Sequence, residues 1–127
     1  MLKRQLFAAG LMALLPALAP AIVSPCAYAA TQSALGDLSR FKAITQDALK
    51  LVEKGDLAGA EIRITDFETA WDTAQPTMWP LSHAEWSVVD DAADAAIASL
   101  RANKPNAEEA RKTLQGLISA LDNPSGA

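Results

Sequence analysis

The chain is 127 residues long, half of them apolar, with a formal charge of −4 and a single cysteine. One cysteine excludes a disulfide framework, and fifteen acidic against eleven basic residues argue against nucleic acid as a partner. The length suits one small domain with one core.

The N-terminal stretch reads as an export signal. Lys3 and Arg4 give it a positive start, an apolar run follows from Leu6 to Val23, and Pro16 and Pro20 interrupt that run. "AYAA" then puts Ala27 and Ala29 at the small-residue positions of a cleavage site. The expected cut after Ala29 divides the chain into a signal peptide, 1–29, and one helical-bundle domain, 30–127, in the periplasm. A retained anchor is the competing reading, because the apolar run approaches the length of a membrane span. Its prolines and the adjoining cleavage motif favour removal, and no membrane partner is expected afterwards.

Cys26 follows Pro25, where a lipoprotein signal wants a small residue, so it is expected to leave with the leader. The mature chain then has no thiol, which removes disulfides, thiolate metal sites, covalent haem and cysteine catalysis. It keeps nine basic and fifteen acidic residues, a net charge of −6. Between Asp56 and Asp94 stand nine acids and one base, Arg63. Such a middle suits a cation or a basic protein surface. Solvated helix faces give the same pattern.

Four segments carry helical spacing. In the first, Leu38, Phe41, Ile44, Ala48, Leu51 and Val52 recur at three- and four-residue steps. "EKGD" ends it, with Gly55 suited to a left-handed cap and Asp56 to the next N-cap. The second carries Leu57, Ala60, Ile64, Phe67, Trp71 and Ala74 until Pro76 and Pro80, which are expected to stop it. The third opens at "SHAE", a capping box of Ser82 and Glu85, and lines up Trp86, Val89, Ala93, Ala96, Ile97 and Leu100. Asn106 caps the fourth, whose stripe is Ala107, Ala110, Leu114, Leu117 and Leu121. Each helix has one apolar stripe and short links, and no segment alternates with period two. The predicted fold is all-α, an antiparallel four-helix bundle made of two helical hairpins.

"AWDTAQPTMWPLSHAEW", residues 70–86, holds all three tryptophans and the only histidine. The structural expectation is that Trp71 and Trp86 close one end of the core while Trp79 and Leu81 fold over it as a lid. The functional expectation is a small-ligand site at Trp71, Trp79 and Trp86. Met78 and His83 could hold a soft cation such as copper beside an aromatic ring, although one thioether and one imidazole are a thin ligand set. They are badly spaced for the two faces of a haem. Carboxylates offer a harder site: Glu61, Glu68 and Asp72 share one flank of the second helix, and Asp90 and Asp94 are an i,i+4 pair on the third. No Glu-x-x-His pair of the di-iron bundles is present.

No catalytic constellation emerges, and no glycine-rich phosphate loop. The stretches "LKLVEKGDLAGAEIRITDFETAWD" and "EWSVVDDAADAAIASLRANKP" resemble a group of small, uncharacterised exported bacterial proteins with a G-D-L-x-x-A…E-x-x-W-D…W…D-x-A…L-R pattern. Some of that group are labelled histidine kinase, yet this chain lacks ATP-binding glycine boxes and the length of a kinase domain. The resemblance therefore implies a compartment and a helical fold, and supplies no catalytic residue. The expectation is a non-enzymatic binding module for a periplasmic protein or small ligand. The alternative is a metal-binding accessory protein that uses copper or a harder ion, with no other cofactor expected.

Overall fold

The computed structural model describes residues 33–126, and the expected signal peptide and its cleavage site lie outside them. Four helices follow one another: α1 (Ser39–Glu53), α2 (Leu57–Met78), α3 (His83–Arg101) and α4 (Ala107–Asp122), with a short 3-10 turn (Trp79–Leu81) between α2 and α3. Among the described residues there is no strand, and no helix is long and apolar enough to cross a membrane.

The helix boundaries follow local chemistry. Gly55, at φ +80°, ends α1 in a Schellman motif. Its N–H donates to the Val52 carbonyl at 2.9 Å, and the Asp56 N–H donates to the Leu51 carbonyl at 2.9 Å. Asp56 at once begins α2, its Oδ1 accepting from the Gly59 N–H at 2.8 Å. Asn106 Oδ1 caps α4 by accepting from the N–H groups of Glu108 and Glu109, at 2.8 and 3.2 Å. Ser82 Oγ accepts from the Glu85 N–H at 3.2 Å, which is half of the expected capping box. The other half is redirected, because the Glu85 carboxylate accepts from Ser33 Oγ at 2.7 Å and so holds the start of the described chain against α3.

The helices form a bundle around one apolar core. α1 packs on α2 and α4, and α3 packs on the same two; the α2–α3 seam is the thinnest of these contacts. Lys42 in α1 pairs with Asp122 at the end of α4, Asp47 in α1 with Arg63 in α2, and Ser99 in α3 with Thr113 in α4. The predicted stripes supply the core: Ile64, Phe67, Val89, Ala96, Leu114 and Leu117 are all fully covered. Leu51, Leu57, Ile97 and Ala107 flank it, half-buried. The one buried polar side chain among the described residues is Thr45, whose hydroxyl donates to the Phe41 carbonyl one turn back at 2.9 Å.

The end of α2 departs from expectation. Pro76 was expected to stop the helix, but the helix runs through it to Met78. A proline this close to the C-terminal end gives up one backbone bond and leaves the rest of the ladder in place. The gain is on the apolar side, since Met78 continues the three- and four-residue steps from Trp71 and Ala74 and is 9% exposed. The Trp79 N–H then donates to the Gln75 carbonyl, which carries the chain into the 3-10 turn.

Candidate functional site

Trp71 in the second half of α2 and Trp86 in the first turn of α3 lie face to face, 3.8 Å between centroids and 11° between planes. Phe41 meets Trp71 edge-on at 5.1 Å, and Phe67 lies 5.8 Å from both Phe41 and Trp71. This cluster is core, but it does not close the end as expected, since Leu35, Leu38 and Met78 are buried beyond it. Trp71 is 2% exposed and Trp86 4%, and their mutual contact leaves no gap for a flat ligand between them. A buried indole needs an acceptor, and Trp71 Nε1 donates to Asp90 Oδ1 at 3.0 Å.

Trp79 is different. The turn that carries it does not fold over the core as a lid: Trp79 is 42% exposed and Leu81 57%. The short 3-10 turn with Pro80 points these side chains outward, and Met78 fills the space beneath in their stead. His83 stacks on Trp79, 3.6 Å between ring centroids and 19° between planes. Met78 and His83 are thereby separated in role, the thioether in the core and the imidazole outside against an indole. Among the described residues no three His, Cys, Asp or Glu side chains are placed to hold a metal ion together.

The acidic flank is assembled across the α2–α3 seam. Glu68 is taken up by Arg101, whose guanidinium also donates to Thr65 Oγ1 at 3.1 Å. Asp90 is taken up by Trp71. Asp94 keeps neither kind of partner, and its carboxyl is held above the ordinary aspartate value. Partial loss of water is the first cause, followed by the negative charges of Asp90, Asp91, Glu68 and Asp72. Arg63, the one base of the acidic middle, does not relieve this crowding, because it is engaged by Asp66 and Asp47, each at 3.0 Å.

The structure therefore gathers Trp71, Trp86 and Asp90 into one cluster, Trp79 and His83 into a second, and Glu68 with Asp94 into the acidic seam. Arg101 is the member of that seam which sequence reasoning missed. Thirty-three residues separate it from Glu68, and only the pairing of α2 with α3 brings them together.

No family matches. No protein-family model fits the chain, and no curated protein or solved structure is significantly similar to it.

Proposed function

We propose that the protein is an exported, non-enzymatic helical-bundle module that docks a basic partner protein across the acidic face of α2 and α3. The reading places residues 1–29 in a cleaved signal peptide and the mature domain in the periplasm, in line with the resemblance to small exported bacterial proteins. It takes the helices as antiparallel, up-down-up-down, which the pairs Lys42–Asp122, Asp47–Arg63 and Trp71–Trp86 support.

The observation that carries it is the crowding at Asp94. Partial burial and four neighbouring carboxylates raise its proton affinity; Arg101 takes up Glu68 alone, and among the described residues no cation pairs with Asp94 itself. An arrangement that costs the free protein stability is relieved when a partner brings positive charge to it. A hard cation bound between the helices fits less well, since Glu68 and Asp90 already serve Arg101 and Trp71. Copper held by Met78 and His83 fits less well again, because Met78 is a core residue.

The test is affinity capture from an envelope extract with the mature protein and with a triple variant, Asp72→Asn, Asp91→Asn and Asp94→Asn. All three positions are exposed, so the fold is retained and circular dichroism checks it. A protein of net positive charge held by the wild type at low salt, released by added salt and lost with the triple variant supports the reading. Equal capture by both proteins overturns it.

A further inference from the structure

The exposed turn after α2 has a neighbour that gives it a use. The described chain begins at Ser33, and Ser33 is tied by its hydroxyl to Glu85 in the first turn of α3. Trp79, Pro80 and Leu81 lie just before that same turn of α3. The described chain therefore starts at the end of the bundle where Trp79 and Leu81 are uncovered. Between Val23 and Ser33 stand nine residues, which span at most about 30 Å when fully extended. The 22 residues of α2 are about 33 Å long, so a bundle tethered by that linker keeps this end nearer to whatever holds residues 6–23.

We infer that, while the chain is still joined to its apolar leader, the Trp79–Pro80–Leu81 turn rests in the interface of a lipid bilayer and sets the bundle end-on against it. Indole suits that zone, having an apolar body and one N–H for the wet side. One tryptophan and one leucine expose too little area to hold an independent protein on a membrane. Tethering supplies the missing term, because the leader turns a weak contact into an intramolecular one at high effective concentration. Cleavage after Ala29 removes the tether, and the turn lets go with it. Release thus needs no conformational change in the bundle. The acidic α2–α3 seam lies along the helices and stays open to a partner.

This inference rests on the reading of residues 1–29 as an export signal, and one experiment separates the two. The full chain is reconstituted into phosphatidylcholine vesicles whose lipids carry bromine on the acyl chain near the headgroup, and tryptophan emission is compared with that in unbrominated vesicles. Trp71 and Trp86 are buried and form the unquenched background. The expected result is that the wild type loses the Trp79 share of its emission to brominated lipid, while Trp79→Phe loses nothing beyond background. A second variant moves the reporter, combining Trp79→Phe with Ile62→Trp. Ile62 is 70% exposed and lies in α2 seventeen residues before Trp79, about 25 Å away, and should stay unquenched. A chain that floats with the vesicles but is quenched equally with and without Trp79, or is quenched at position 62, overturns the inference alone. A full chain that does not associate with vesicles overturns the leader reading as well.

Discussion

Trp71 Nε1 donates to Asp90 Oδ1 at 3.0 Å while the Trp71 ring lies flat on Trp86, so one acidic side chain of α3 serves a buried indole of α2. Asp90 is therefore structural first. Asp90→Ala leaves an indole N–H without its acceptor in a site that is 2% exposed, and should cost about 1–3 kcal/mol. Asp90→Asn keeps an acceptor oxygen in reach and should cost clearly less. Urea unfolding of the two variants, followed by circular dichroism, makes the comparison.

The three tryptophans should separate by stability. Trp71→Ala opens a cavity among Phe41, Phe67 and Trp86 and is expected to cost about 3–5 kcal/mol. Trp79→Ala removes a ring that is 42% exposed and stacked only on the exposed His83, and should change stability by no more than about 0.5 kcal/mol. Melting temperatures of the two variants, measured in one buffer, decide the order.

Asp94 gives a pH signature. Its folded-state carboxyl binds a proton more readily than in the unfolded chain, where the ordinary value is 3.8. Its contribution to stability is therefore fully present below about that pH and is lost as pH rises through the higher folded value. Asp94→Asn should stabilise the protein at neutral pH by removing a partly desolvated charge and its repulsion from neighbouring carboxylates, of which the i,i+4 part from Asp90 is worth about 0.2–0.5 kcal/mol. The advantage should shrink as the solution is acidified and vanish once the Asp94 carboxyl is protonated. Denaturation midpoints from pH 3 to pH 7 check the trend, and an advantage that grows on acidification would contradict the assigned cause.

Pro76 carries a cost that the apolar stripe tolerates. Pro76→Ala restores a donor to α2 and removes the ring's crowding of the preceding turn. Some of that gain is lost to a more flexible unfolded chain, leaving a net stabilisation of about 1–2 kcal/mol. Thermal unfolding measures it. A destabilised variant would mean that the proline is needed to set the direction of the 3-10 turn.

The four helices, their caps and most of the core were legible in the sequence because those choices are local. Asp56, Ser82 and Asn106 cap helices through their own side chains, and Gly55 closes α1 through its own backbone. The three- and four-residue spacing of Ile64, Phe67 and Trp71, or of Leu114, Leu117 and Leu121, puts each set on one helix face whatever else the chain does. Met78 continued the spacing of Trp71 and Ala74, but Pro76 masked it.

The sequence by itself determined an all-helical chain with an acidic middle and three tryptophans near one junction. Only the tertiary structure decided what each of those groups does. Trp71 and Trp86 became core and Trp79 stayed outside; Glu68 went to Arg101, Asp90 to Trp71, and Asp94 to neither. Helix formation is governed by neighbours within about one turn. The partner of a carboxylate or an indole depends instead on which helix faces it and at what height, and residues 19 to 33 positions apart carry no such information in their spacing.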